Sequence, residues 1–223
     1  PTAVLDETGI SPLGGVITVS AGADHTCALI DGGTARCWGS DQYGQLGLDG
    51  GSATTSSLLP VVVRNETDAA ALAGIATIHA GQYRTCARMA DGTLRCWGLS
   101  RVGDGTITNR SLPVSVLTGP GVPLVGVAAA DRLSAGCAAT TAGSAYCWGQ
   151  NFRGQIGDGT TTDRSYATVV ILDGGSAFTG AVGIGVGYDC ACALAADGGA
   201  FCWGHNEYGH LGNGAAGQEY YLG

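Results

Sequence analysis

Apolar residues in this chain come in short runs closed by glycine, proline or aspartate, without the three-and-four spacing of an amphipathic helix. The run from His25 to Ile30 leads into Asp31-Gly32-Gly33, and Thr34 to Trp38 return from it. Asp-Gly between two β-prone runs is a strong hairpin signal, because glycine reaches positive φ without steric cost. The signal recurs at Asp91-Gly92 and Asp197-Gly198, with Ala142-Gly143 in the corresponding place between them. The pattern predicts an all-β chain of antiparallel hairpins.

The hairpins belong to an internal repeat. Cys-Trp-Gly occurs four times, at Cys37-Trp38-Gly39, Cys96-Trp97-Gly98, Cys147-Trp148-Gly149 and Cys202-Trp203-Gly204, and it contains every tryptophan of the chain. Another cysteine stands ten positions before each: Cys27, Cys86, Cys137 and Cys192. A glycine-rich turn follows, clearest in Tyr43-Gly44-Gln45-Leu46-Gly47, Arg153-Gly154-Gln155-Ile156-Gly157 and Tyr208-Gly209-His210-Leu211-Gly212. Proline then opens a β-branched run, Pro60-Val61-Val62-Val63 and Pro113-Val114-Ser115-Val116. A turn centred near residue 32 sets Cys27 opposite Cys37, where cross-strand Cβ atoms stand about 4.5–5.5 Å apart. The spacing therefore predicts the bridges Cys27–Cys37, Cys86–Cys96, Cys137–Cys147 and Cys192–Cys202. A zinc site would favour two to four residues between ligand cysteines. Each closed loop contributes about 3 kcal/mol in the chain-entropy picture.

The segment Ala21-Gly22-Ala23-Asp24-His25-Thr26-Cys27-Ala28-Leu29, the Trp-Gly pairs and Gly44-Gln45-Leu46-Gly47 resemble the regulator of chromosome condensation repeat family. The resemblance spans nearly the whole chain. It implies a β-propeller in which each repeat supplies a blade of four antiparallel strands. Family members usually close with seven blades, so four repeats imply an arc of a larger propeller. The cysteine pairs stand where the family more often has small or aliphatic core residues, and they read as an added staple. Trp38, Trp97, Trp148 and Trp203 are expected in the blade cores. The third repeat diverges, and 128–134 reads as carrying about two extra residues. One domain, 1–223, is expected, with repeats at 1–59, 60–112, 113–166 and 167–223. Pro1 to Leu5 has the look of the outer-strand segment at Pro60, Pro113 and Ala167, and 218–223 stops where the next would begin. Nothing in the residues carries over the nucleotide-exchange activity of the founding member, because function lives in sites rather than folds.

Charge narrows the partners. The net charge is −8 and the ten basic residues, all arginine, are scattered singly. Nucleic acid, which calls for clustered cations, is a poor partner. No run reaches the ~18–20 apolar residues that span a bilayer. The chain opens at Pro1 without a charged-then-apolar leader, which reads as a processed or excised chain and says nothing against secretion. Paired cysteines point to an oxidising setting: outside the cell, at its surface, or in a periplasm.

Candidate chemistry is sparse. Cys190, the ninth cysteine, takes the place of His25 and Arg84 and is left unpaired, buried or open to an intermolecular bridge. His25, His79, His205 and His210 form no triad spacing. Asp104 and Asp158 sit in equivalent Gly-Asp-Gly-Thr loops that turn chemistry explains without calcium. Arg110 and Arg164 follow those loops and are expected to anchor a carbonyl or a carboxylate. Asn65-Glu66-Thr67 and Asn109-Arg110-Ser111 fit the glycosylation sequon. No cofactor, metal or catalytic residue is expected. The favoured reading is a non-catalytic scaffolding module that binds another protein, or further copies or repeats of the same array, through loops 49–59 and 65–73. The alternatives are a secreted enzyme inhibitor using Tyr43, Tyr83, Phe152, Tyr188 and Tyr208, and a hydrolase with a cleft at the propeller axis.

Overall fold

The computed structural model describes residues 1–48, 55–132, 135–216 and 220–221, and all regular structure in them is strand. Four four-stranded antiparallel sheets, the blades, follow one another along the chain. The first contains β1 (Val16–Ala21), β2 (His25–Ile30), β3 (Thr34–Ser40) and β4 (Ser56–Val62). The second contains β5 (Ile75–Ala80), β6 (Arg84–Met89), β7 (Leu94–Gly98) and β8 (Arg110–Ser115). A small hairpin of β9 (Leu117–Gly119) and β10 (Val122–Pro123) precedes the third blade. That blade contains β11 (Val127–Arg132), β12 (Ala135–Thr140), β13 (Ala145–Gly149) and β14 (Arg164–Val169). The last contains β15 (Ala181–Val186), β16 (Cys190–Ala195), β17 (Ala200–His205) and β18 (Tyr220–Tyr221). Strands pair in sequence order throughout. Pro60 lies inside β4 and Pro113 inside β8, so these fourth strands straddle the boundary between one proline-framed repeat and the next.

The chain divides into two compact units, one of residues 1–100 and 108–114, the other of 101–107 and 115–223. Each has its own core. In the first, Cys27, Leu29, Cys37, Leu46 and Val63 pack with Ile75, Ile78, Ala87 and Trp97. In the second, Cys137, Cys147, Ile156, Val170 and Phe178 pack with Ala181, Ala191, Ala193 and Trp203. The cysteine side of one blade therefore meets the tryptophan side of the next. The four bridges link Cys27–Cys37, Cys86–Cys96, Cys137–Cys147 and Cys192–Cys202, each with Cα atoms 4.1 Å apart. Each pair is directly opposed in register across the hairpin.

The glycine after each tryptophan has a steric cause. Gly98 adopts φ 105°, and a Cβ there would stand 2.4 Å from the Tyr83 carbonyl oxygen. Gly39 and Gly204 meet the carbonyls of Asp24 and Asp189 at 2.5 Å in the same way. No L side chain fits such a place, where the strand must shift register toward its outer neighbour.

Two expectations are corrected. Trp97 is 0% exposed, Trp148 1% and Trp203 3%, but Trp38 is only half-buried. Trp97 and Trp203 are enclosed because the preceding blade covers them. Trp38 belongs to the first blade and lines an open apolar groove with Val4, Leu13, Val16, Val19 and Thr26. The third repeat's first hairpin is also shorter rather than longer. Arg132 pairs with Gly136, four residues on, where Ala21–Thr26 and Ala80–Thr85 span five. Trp97→Ala should lower unfolding free energy by about 3–5 kcal/mol in urea titration, the usual cost of emptying an enclosed aromatic site. Trp38→Ala should cost clearly less, since part of its indole is already in water.

Candidate functional site

Each blade presents two ends, and within a unit the same kinds of loop gather at the same end. One end of the first blade carries the turn at 22–24 and the glycine-rich turn after β3. The other carries the β2–β3 turn at 31–33 and the loop after β4. Loops 49–59 and 65–73 therefore do not form one surface, as the sequence reading grouped them. Residues 56–59 belong to β4, whose seven residues separate the two loops by about 20 Å. Residues 49–54 lie outside the described residues.

Loop 65–73 is organised by its own side chains. The Asn65 side-chain oxygen accepts the Thr67 N–H at 3.2 Å, the Thr67 hydroxyl at 3.0 Å and the Ala69 N–H at 3.1 Å. Asp68 completes the turn at φ 57°, a region that Asp tolerates better than most residues. Loop 5–12 repeats the device with Asp6, which accepts the Thr8 N–H at 3.0 Å. The Thr8 hydroxyl above all, and then backbone N–H groups of the loop, bond its ionised form and hold the Asp6 carboxyl below the usual carboxylate range. Both hairpins lie at the same end of the first unit. Glu7 pairs with Arg36 at 3.8 Å, and Glu66 with Arg95 at 3.2 Å, while Asp31 and Asp91 sit at the hairpin turns beside them. The result is a fixed, carboxylate-rich surface, with Ile10 82% exposed at its rim.

The opposite end is built on the glycine-rich turns. Trp97 Nε1–H donates to the Gln45 carbonyl at 2.9 Å, and Trp203 Nε1–H to the Gln155 carbonyl at 3.0 Å. The Thr85 hydroxyl donates to the same Gln45 carbonyl at 2.7 Å, so the contact 2.8 Å from His25 Nε2 must be an N–H donated to Thr85 Oγ1. His25 Nδ1 is buried with no partner among the described residues. Burial pushes the imidazole down to about 4, against a smaller upward pull from Asp24. At each turn's start a side-chain oxygen accepts the N–H five residues on: Asp41 from Leu46 at 2.9 Å, Asn151 from Ile156 at 2.8 Å, and Asn206 from Leu211 at 3.1 Å. Burial raises the Asp41 carboxyl, only partly offset by the Leu46 bond.

The remaining candidates fall into place separately. Cys190 occupies the register position of His25 and Arg84, opposite the Trp-Gly glycine, and is a half-buried free thiol. Burial and Asp189 push that thiol up. Arg84 donates from Nε to the carbonyls of Leu99 and Ser100 at 2.7 and 2.9 Å. Arg164 anchors the carboxylate of its own loop, Asp158, whose other oxygen accepts from Thr160 and Asn151. Asp104 is likewise occupied by Thr106. No cluster fit to hold a metal stands among the described residues. Among the aromatics, Tyr43 and Tyr83 meet at a tilt of 59° with centroids 5.2 Å apart. Phe152, Tyr188 and Tyr208 are 49%, 61% and 79% exposed. His205 meets Glu207 at 3.3 Å and stacks on His210 at 5.3 Å. The sequence reading missed the Gln45 and Gln155 carbonyls, Thr85 and the Asp41, Asn151, Asn206 series. Their recurrence at fixed distances from Trp-Gly was the available signal.

Two models of the regulator of chromosome condensation (RCC1) repeat match the chain, one at residues 16–45 and 75–104, the other at 33–88. The ultraviolet-B receptor UVR8 of Arabidopsis thaliana is 30% identical over 207 residues, covering 89% of this chain and 43% of that protein. The human E3 ubiquitin-protein ligase HERC2 is 28% identical over 207 residues, 89% of this chain but 4% of that one. Yeast RCC1 (Prp20), solved bound to Kap60, shares the fold with a TM-score of 0.70 at 20% identity, over 93% of this chain and 48% of its own. The chain thus spans less than half the length of these proteins.

Two pH-dependent outcomes follow from the buried groups. His25 has a folded pKa below its unfolded value of 6.5, so its neutral form stabilises the fold above pH 6.5. That stability, about 3 kcal/mol, drains as pH falls from 6.5 toward 4. Urea midpoints for the wild type should drop across this window, and the gap to His25→Gln should narrow. Asp41 is raised, so its charge costs stability above the carboxylate range. Asp41→Asn keeps the bond to Leu46 and should match or exceed the wild-type melting temperature at pH 7. That advantage should vanish once Asp41 is protonated.

Proposed function

This chain belongs to the RCC1 repeat family, and we propose that it acts as a non-catalytic protein-interaction module in an oxidising compartment, outside the cell or at its surface. The observation that carries the reading is the pairing of a disulfide in every blade, buried in the first three, with pre-organised loops at the blade ends. Structural disulfides persist where thiols are not kept reduced. Loops held rigidly on a scaffold place side chains for a partner at little ordering cost.

The end of the first unit that carries loops 5–12 and 65–73 is the proposed contact surface. Its carboxylates suit a partner with a basic or neutral face, through steering and register more than through raw affinity. The ligase named for HERC2 is not carried over, because the match covers so small a part of that protein. Protein recognition is also consistent with the yeast RCC1 complex with Kap60, although that likeness speaks for the fold alone.

The reading is tested on the chain in its native source. Maleimide labelling without reductant should modify one cysteine, Cys190, in material recovered outside the cytosol. A photo-crosslinking residue at the exposed Thr67 should yield a discrete protein adduct, weakened when Glu66 is replaced by Lys. Reduced cysteine pairs in a cytosolic fraction would defeat the compartment, and absence of any adduct at Thr67 would defeat the surface.

A further inference from the structure

The loop before each of the first two blades is tied to that blade by charge, and in the third repeat the same place is open. Glu7 and Glu66 stand two residues after the bridged positions Leu5 and Arg64, and they pair with Arg36 and Arg95. In the third repeat Leu117 pairs with Pro123. The Leu124 N–H donates to the Val116 carbonyl at 2.8 Å, as the Leu72 N–H does to that of Val63 at 2.9 Å. Two residues after Leu117 comes Gly119, where a Cβ would meet nothing within 4 Å. Arg36 is paired with Ala28 and Arg95 with Ala87, but the residue paired with Ala138 is Tyr146.

A third charge is missing at the same place. In the second repeat the Asp91 carboxylate accepts the Thr93 hydroxyl at 2.7 Å. The Met89 N–H donates to the Thr93 carbonyl and the Thr140 N–H to that of Ser144, both at 2.9 Å, so Ser144 is the counterpart of Thr93 and Ala142 that of Asp91. Gly119, Ala142 and Tyr146 thus replace a glutamate, an aspartate and an arginine. What they leave is a cleft of about 410 Å³ between the β9–β10 hairpin and the β12–β13 turn, entirely inside the second unit. That volume suits a small molecule, for which sites of about 300–1,000 Å³ are usual.

The lining has an apolar part and a hydroxyl part. Val122, Pro123 and Val125 form the first, and the two valines are 54% and 56% exposed. Thr141, Ser144 and Tyr146 form the second, and their hydroxyls have no hydrogen-bond partner among the described residues. The Thr140 hydroxyl is occupied by the turn itself, accepting the Ser144 N–H at 3.2 Å and donating to the Ser144 carbonyl at 3.3 Å. No charged side chain lines the cleft. A charged ligand would lose water there without gaining a counter-charge. A purely apolar ligand would cover the free hydroxyls and leave them unbonded. A neutral ligand with hydroxyls of its own satisfies both parts, because each hydroxyl can donate and accept.

We propose that this cleft binds a neutral saccharide. The hydroxyls of Thr141, Ser144 and Tyr146 bond the hydroxyls of the sugar, and the C–H face of the ring lies on Val122, Pro123 and Val125. In the first two repeats Glu7–Arg36 and Glu66–Arg95 occupy the equivalent space, so the site is particular to the third. It uses no residue of loops 5–12 and 65–73, and it stands or falls without a protein partner at those loops.

The test is saturation-transfer NMR on the oxidised chain, which reads weak and rapidly exchanging ligands. The probes are the methyl glycosides of glucose, galactose, mannose and N-acetylglucosamine, with glucuronate, glucosamine and the tripeptide Val-Pro-Val as contrasts. At least one neutral glycoside should receive saturation, and titrating it should shift the backbone amide signals of 118–126 and 140–146. Ser144→Ala should weaken that binding by about tenfold, the loss of one good hydrogen bond. Gly119→Glu combined with Tyr146→Arg rebuilds the ion pair of the first two repeats, and it should abolish saturation while keeping the wild-type urea midpoint. Silence from every neutral glycoside overturns the proposal. So does a contrast probe that binds as well as the best glycoside, or glycoside binding that survives in the double variant. If the double variant does not fold, Ser144→Ala and the map of shifted amides decide, and a sugar that responds to neither overturns the site. The Thr67 adduct is read separately, and its loss would leave the saccharide site untouched.

Discussion

The structure depends on the fit of one indole into the turn of the blade before it. Trp97 packs against Gly47, where a Cβ would come within 3.0 Å of its Nε1 and 2.8 Å of Val63. Trp203 packs on Gly157 with the same closeness, 2.8 Å. The turn must therefore be glycine at the contact, and its carbonyl must face inward to accept the indole N–H. A buried N–H without that acceptor would carry a substantial desolvation cost. Side chains at the start of the turn, Asp41, Asn151 and Asn206, then hold it in the shape that presents the carbonyl. Blade packing, turn sequence and the Trp-Gly pair are in this way one constraint expressed at three places.

The disulfides act on the same contact from the other side. In each unit the bridge of the leading blade, Cys27–Cys37 or Cys137–Cys147, lies on the face turned toward the next indole-bearing sheet, so sulfur forms part of the core between blades. Many of the neighbouring residues are alanine: Ala80 and Ala87 in the first unit, and Ala135, Ala139, Ala191 and Ala193 in the second. Small side chains let the sheets approach closely but bury little apolar area each. A covalent cross-link that narrows the unfolded ensemble offsets that modest burial.

Much of this was legible in the chain itself. The ten-residue step between cysteines across a turn, repeated four times, is a local property, and local hairpin geometry follows from local sequence. What was not legible depends on neighbours. Trp38 has the same flanking residues as Trp97, yet burial is decided by whether a turn from another blade lies against the indole, as the Gln45 turn does at Trp97. The two loops grouped as one surface are adjacent in sequence only because a single strand separates them, and a strand carries the chain from one end of a blade to the other. The length of the third hairpin was misread because its Ala-Gly-x-x-His signature is absent, which removed the anchor for counting. His25 shows the same limit: its partner Thr85 stands sixty residues away, and no spacing rule connects them.

The crossing of repeat boundaries by β4, β8 and β14 has a mechanical consequence. A tension along the backbone cannot peel one repeat away as a separate bead, because the boundary between repeats runs through the middle of a sheet. The load must shear β4 from β3 while the Cys27–Cys37 bridge keeps β2 and β3 locked together. Extension would come from the outer strands and loops first, leaving the bridged hairpins as inextensible nodes. The molecule would behave less like beads on a string than like overlapping roof tiles, each pinned under its neighbour's edge.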